Sequence, residues 1–234
     1  MGEAKRRRDS AVPMVYHHTS TLRTNLIWMS GLIKLEGQSE HVVHPQLGTI
    51  NTSALARRAL DDFPPVVWFT TQVSVPKCLI KMAVVLTDNK TGETTQISLD
   101  EQEAHGFALN RLALGFKRAD IPVTHWPEHP GYATGEGREL NETAREAGDN
   151  PNDWWVSEEP IDVMTVCEFW NAMSIFDPKM TRRDAYVADI KRMVTLCRTQ
   201  EGVYIPPTWL KPERAKALAR RLNLNIKDLE DVPS

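Results

Sequence analysis

Apolar and polar positions divide the chain into two stretches of different character. Up to residue 176, short apolar runs mix with short helical patterns and polar loops; from Asp177 the pattern is helical only. Val12–Tyr16 and Val66–Thr71 read as strands, the second bounded by Pro64-Pro65 and rich in branched and aromatic residues, as in a strand buried on both faces. Cys78–Thr87 reads as a strand with helix as the alternative, and Asp88–Glu93 as a turn to the alternating partner Thr94–Leu99. Phe107–Phe116 is expected as a strand containing Arg111, and Asp153–Ser157 as another. In that last strand, alternation sets Asp153 and Trp155 on one face and Trp154 and Val156 on the other.

Helical spacing places a short helix after Thr21 or Thr24, with Leu22, Leu26, Ile27 and Met29 as its apolar face and Gly31 as its stop. Further helices are predicted over Asn51–Asp62, Glu139–Ala147, Asp184–Arg198 and Pro212–Leu222. Val163–Met173 reads as helical or mixed, and Ile33–Gly48 as an extended loop. The order lacks the strand–helix alternation of a doubly wound sheet. The expected class is α+β, organised as a mobile basic terminus (1–11), a core (12–176) and a helical extension (177–234).

Composition narrows the function classes. The 234 residues carry a formal net charge of −3, which gives no global argument for nucleic-acid or membrane binding. No apolar run approaches the ~20 residues of a membrane span. The three dispersed cysteines, Cys78, Cys167 and Cys197, fit a reducing cytoplasm and offer no Cys-x-x-Cys zinc pair. No glycine-rich phosphate loop is present.

Chemistry concentrates at a few points. Tyr16-His17-His18-Thr19-Ser20 sits where a strand ends and a helix begins, so free backbone N–H groups and polar side chains meet there. Asp153, Glu158 and Glu159 are the carboxylates around the last strand. Arg111 offers a fork for a pyrophosphate, or a partner for a buried acid. Trp68, Phe69 and Trp155 are either core or stacking surfaces for an aromatic ring. The pairs His41/His44 and His125/His129 have metal-ligand spacing, but prolines place both in loops, which disfavours a metal-dependent hydrolase.

Tyr-His-x-Thr-Ser, a short helix and Gly-Leu-Ile resemble the first motif of the ADP-ribosyltransferase superfamily, in its histidine-bearing branch. That branch includes the diphtheria-toxin-like enzymes, the DNA-modifying toxins and an anti-CRISPR protein. Val67-Trp68-Phe69-Thr70-Thr71 resembles the second motif, and Asn152–Ile161 the last, in the family's order. The resemblance implies a split mixed β-sheet core. It implies NAD as substrate, with His17 on a ribose, an aromatic of the second motif near the nicotinamide and an acid of the last motif catalytic. Joined to the residue readings above, the expected set is His17, Thr19, Ser20, Trp68, Phe69, Arg111 and Trp155 for NAD, with Asp153 or Glu158 catalytic. It also implies a macromolecular acceptor, protein or nucleic acid, for the ADP-ribose. An aspartate at 153 departs from the usual glutamate. The competing expectation is a phage or mobile-element protein of the same fold that has lost the chemistry and binds a host protein, or a nucleic acid through Arg214–Lys227.

Overall fold

The computed structural model describes residues 12–21, 23–24, 27, 31–35, 41–44, 48–51, 64–81, 85–87, 91, 94–96, 98, 100, 102, 108–166, 168–173 and 177–189. The basic terminus, nearly all of the helix expected over Asn51–Asp62, and everything beyond residue 189 lie outside these residues. That includes Pro212–Leu222 and Arg214–Lys227.

The strands are β1 (Met14–His17), β2 (Leu32–Ile33), β3 (His41–His44), β4 (Gly48–Asn51), β5 (Val67–Thr70), β6 (Val85–Thr87), β7 (Thr94–Gln96), β8 (Leu112–Lys117), β9 (Thr124–His125), β10 (Trp154–Ser157), β11 (Ile161–Asp162) and β12 (Glu168–Asn171). Two helices matter for the site, α1 (Lys77–Lys81) and α2 (Gly135–Ala147). Six strands form one sheet in the order β12-β8-β1-β5-β10-β9. Every pairing in it is antiparallel, so the α+β class holds while the expected mixed sheet does not.

This sheet is two triplets held by a narrow join. β1 matches β8 over four residue pairs, Met14↔Lys117 to His17↔Leu114. β5 matches β10 over four, Trp154↔Thr70 to Ser157↔Val67. Between the triplets, β1 and β5 share the single pair Tyr16↔Thr70. By His17, β1 is still bonded to β8 but has left β5.

Residues that pair across strands share a face. Val15, Phe69, Leu112, Leu114, Phe116 and Phe169 therefore point to one side, where Ile27, Ile33, Ile161 and Val163 close a core. On the other side Trp154 and Val156 pack with Val66, Trp126 and Ala144 of α2. The alternation predicted for Trp154 and Trp155 is observed: Trp155 packs against the first core and Trp154 lies in the second.

Several elements depart from expectation. His41–His44 pairs with Gly48–Asn51 as a hairpin, where a loop was expected. Residues 77–81 are helical and only Val85–Thr87 is extended; β6 does pair with β7 across the predicted turn. The strand before Lys117 begins at Leu112, which leaves Arg111 outside it. Glu168–Asn171 is the edge strand β12. The helix of the last described segment begins at residue 182, and its Ala185 and Tyr186 belong to the first core, continuous with the sheet.

Caps explain the helix bounds. Ser20, not Thr21 or Thr24, caps the first helix, its Oγ accepting from Arg23 N. Gly31, at φ 75°, stops that helix as predicted, its N–H donating to Ile27 O. Thr134 caps α2 by accepting from Gly137 N at 3.0 Å, so α2 starts four residues before Glu139. At Gly137 an added Cβ would lie 1.8 Å from the Gly131 carbonyl oxygen, which is backbone and cannot swing aside. Gly137→Ala is therefore expected to destabilise the fold by roughly 2–3 kcal/mol, read as a lower urea midpoint with an unchanged slope.

Candidate functional site

The split between β1 and β5 is bridged by side chains rather than by a ladder. His17 Nδ1 lies 2.9 Å from Trp68 O. A carbonyl only accepts, so Nδ1 carries the proton and Nε2 presents a lone pair. Burial, opposed in part by the bond to Trp68 and reinforced by Arg23, pushes the imidazole down to about 4. At neutral pH His17 is thus a neutral ring whose Nε2 is an acceptor. Phe69 flanks it, with ring centroids 5.8 Å apart.

His18, one step on, reaches Gln72 O with Nε2 at 3.4 Å. Its Nδ1 is buried without a hydrogen-bond partner, and burial again pushes the ring down to about 4. Gln72 then continues to the acid. Its Nε2 donates to Asp153 Oδ2 at 2.6 Å, and its backbone N–H donates to Thr70 Oγ1. Asp153 stands just before β10, where its carbonyl accepts from Thr71 N at 2.9 Å. His18, Gln72 and Asp153 are thus joined by hydrogen bonds, while the neighbouring His17 is held by Trp68 O; Gln72 was not singled out from the sequence.

The remaining expected site residues divide. Thr19 is buried and its carbonyl accepts from Asn110 N; Ser20 is the helix cap. Both shape the strand-to-helix turn. Trp68 gives its carbonyl to His17, but its ring packs the other way, 4.7 Å from Trp126 and 5.7 Å from Trp154. Trp155 carries Arg118 4.5 Å above its ring and His125 4.8 Å away. Arg111 takes the second of the roles open to it. Its backbone N–H donates to Asp189 Oδ2 at 2.8 Å and its Nη1 stands 3.5 Å from Oδ1, so it ties the last described helix to the sheet.

Glu158 belongs to a different cluster. Buried His129 accepts from Gly131 N at Nδ1 and donates from Nε2 to Glu158 Oε1 at 2.9 Å. Trp126 stacks on His129, 5.3 Å between centroids, and its Nε1 donates to Asn141 Oδ1. This assembly sits with α2, on the Trp154 side of the sheet. Glu159 is exposed. His125 Nε2 faces Asn152 O, so the two loop histidines serve separate partners. Among the described residues no three His, Cys, Asp or Glu side chains are grouped to hold a metal ion. Cys78, half-buried and facing Asp149, is pushed up to about 12 and stays a thiol. Among the same residues no helix is long and apolar enough to cross a membrane.

Comparison with protein-family models, with curated proteins and with solved structures found no match to this chain.

Proposed function

We propose that this chain is an ADP-ribosyltransferase-like protein that binds NAD along the split between β1 and β5 and transfers ADP-ribose to a protein or nucleic acid. The observation that carries the reading is the state of His17. A sheet parts beside it, and a neutral imidazole at the parting is held by one nitrogen and offers the other as an acceptor. A ribose hydroxyl is a donor that suits this atom; Phe69, packed on Phe116 in the first core, backs the imidazole rather than stacking on the ligand.

Of the two carboxylates, Asp153 is the better catalyst for this reading. It is linked to β1 through Gln72 and His18, whereas Glu158 is held by His129 on the α2 side. In the reaction the bond between ribose C1′ and the nicotinamide nitrogen breaks, and its electron pair leaves on nicotinamide. The positive charge that develops at C1′ is stabilised by the Asp153 carboxylate. The acceptor nucleophile forms the new bond to C1′, and its proton passes to Asp153.

The test is incubation with NAD labelled in the adenylate half, alone and with cell lysate. Label retained by protein or nucleic acid, with nicotinamide released, is the expected result. Asp153→Asn should keep NAD affinity within about threefold and slow nicotinamide release roughly 100- to 1000-fold. Absence of NAD binding by the wild-type chain would sink the reading. Binding without any release would leave a nucleotide-binding protein that has kept the pocket and lost the chemistry.

A further inference from the structure

Gln72 occupies a position for which exposure and bonding pull in different directions. It is an exposed residue just past the end of β5, a setting in which long polar side chains are usually free to rotate. Here its backbone N–H is tied to Thr70 Oγ1 at 3.2 Å and its carbonyl faces His18 Nε2. Its side-chain amide donates to Asp153 Oδ2 at 2.6 Å, a short bond with a charged acceptor. The amide orientation is unambiguous, because a carboxylate accepts and only the NH2 end can face it. The other end of the chain of contacts is His18, which spends one nitrogen on Gln72 and leaves Nδ1 buried without a partner. A stranded buried acceptor costs about 1–3 kcal/mol. Fold stability alone gives no reason to keep a histidine in that arrangement.

From this geometry we infer that Gln72 is a positioning residue: anchored to β1 through His18, it fixes the rotamer of the Asp153 carboxylate across the split. The inference rests on the NAD-cleft reading above and adds to it the residue that orients its acid. Gln72 does not touch the reacting atoms. Asp153 Oδ2 is taken by the amide, which leaves Oδ1 as the oxygen for the developing charge at C1′ and for the acceptor's proton. An acid free to rotate would spend most of its time misaligned, and misplacement of about 1 Å costs as much as 100-fold in rate.

The experiment compares Gln72→Ala, Gln72→Glu, Asp153→Asn and the double variant Gln72→Ala/Asp153→Asn in the full chain. NAD affinity is measured by calorimetry and nicotinamide release by steady-state kinetics. Gln72→Ala should retain NAD affinity and KM within about twofold and lose roughly 10- to 100-fold in kcat. Gln72→Glu, which puts a second carboxylate against Asp153, should lose at least as much. The double variant should be no slower than Asp153→Asn alone, since Gln72 acts only through that acid. A purely structural role predicts something else: a raised KM, and losses that multiply in the double variant.

Unchanged kcat in Gln72→Ala, or multiplied losses in the double variant, overturns the positioning role and leaves the NAD cleft intact. Failure of the wild-type chain to bind NAD overturns the cleft reading, and the positioning role with it. Wild-type binding with no nicotinamide release overturns the transfer reaction and the positioning role with it, and leaves the NAD cleft intact, because Asp153 then has no step to be aligned for. Should Gln72→Ala unfold, Gln72→Asn serves in its place. It keeps the amide but shortens its reach by one methylene, and the same kcat-only loss is expected.

Discussion

Replacing His17 by alanine should remove NAD binding, and replacing it by asparagine should do so without harming the fold. The two ring nitrogens have separable duties. Nδ1 closes the bond to Trp68 O, the first contact across the split after β1 and β5 stop pairing. Nε2, with its lone pair, is the atom proposed to accept from a ribose hydroxyl. Asparagine reaches about as far as Nδ1, so its amide can keep the Trp68 bond while offering nothing where Nε2 stood. Glutamine reaches about as far as Nε2 and can restore an acceptor there. The expected order of affinity is therefore wild type, then Gln, then Asn and Ala. Losing the hydroxyl's acceptor and leaving a buried donor unpaired costs about 2–4 kcal/mol, or roughly 30- to 1000-fold in Kd. Calorimetry gives the affinities, and urea midpoints show whether His17→Asn retains wild-type stability. Wild-type NAD affinity in His17→Asn would remove His17 from the site.

The parts of this site that could be read from sequence follow a physical rule. Short apolar, branched and aromatic runs bounded by prolines or polar turns marked β1, β5 and β10, and alternation within β10 separated Trp154 from Trp155, as their packing in different cores bears out. Those signals are local. What could not be read depends on partners distant in the chain. Arg111 seemed to lie inside a strand because Leu109 and Leu112 flank it; that Asp189 would meet it was invisible at a separation of 78 residues. Glu168–Asn171 alternates too briefly to stand apart from a helix, and it is extended because β8 offers an open edge. His41–His44 and Gly48–Asn51 looked like loop because histidines, proline and glycine mask a hairpin. Gln72 carried no signal, since its part comes from His18 on one side and Asp153 on the other. Mixed pairing was expected from the resemblance alone, and strand direction is set by connections that no single motif encodes.

The two histidines that border the split should also make the fold acid-sensitive in a defined window. Both rings are pushed down to about 4, first by burial; Arg23 adds to this at His17, and His17 adds to it at His18. In the unfolded chain a histidine titrates near 6.5. Above that pH both states hold neutral rings and neither contributes a pH dependence. Below it the unfolded chain binds protons that the folded chain refuses, so stability falls. The fall continues to about pH 4, where the folded rings protonate as well. At roughly 1.4 kcal/mol per pH unit, the interval amounts to roughly 3 kcal/mol per ring as an upper figure, against the 5–15 kcal/mol typical of a domain. Urea midpoints between pH 7.5 and 4.5 should therefore drop steeply for the wild type. They should drop less for His17→Asn and least for His17→Asn/His18→Asn, which has no ring there to protonate. The same neutrality governs ligand binding: a protonated His17 has no lone pair at Nε2, so NAD affinity should decline only as pH approaches 4, far below the value for an ordinary histidine. Parallel stability curves for wild type and double variant would show that the folded rings take up protons as readily as the unfolded ones, and NAD affinity would then decline in the range of an ordinary histidine rather than near pH 4.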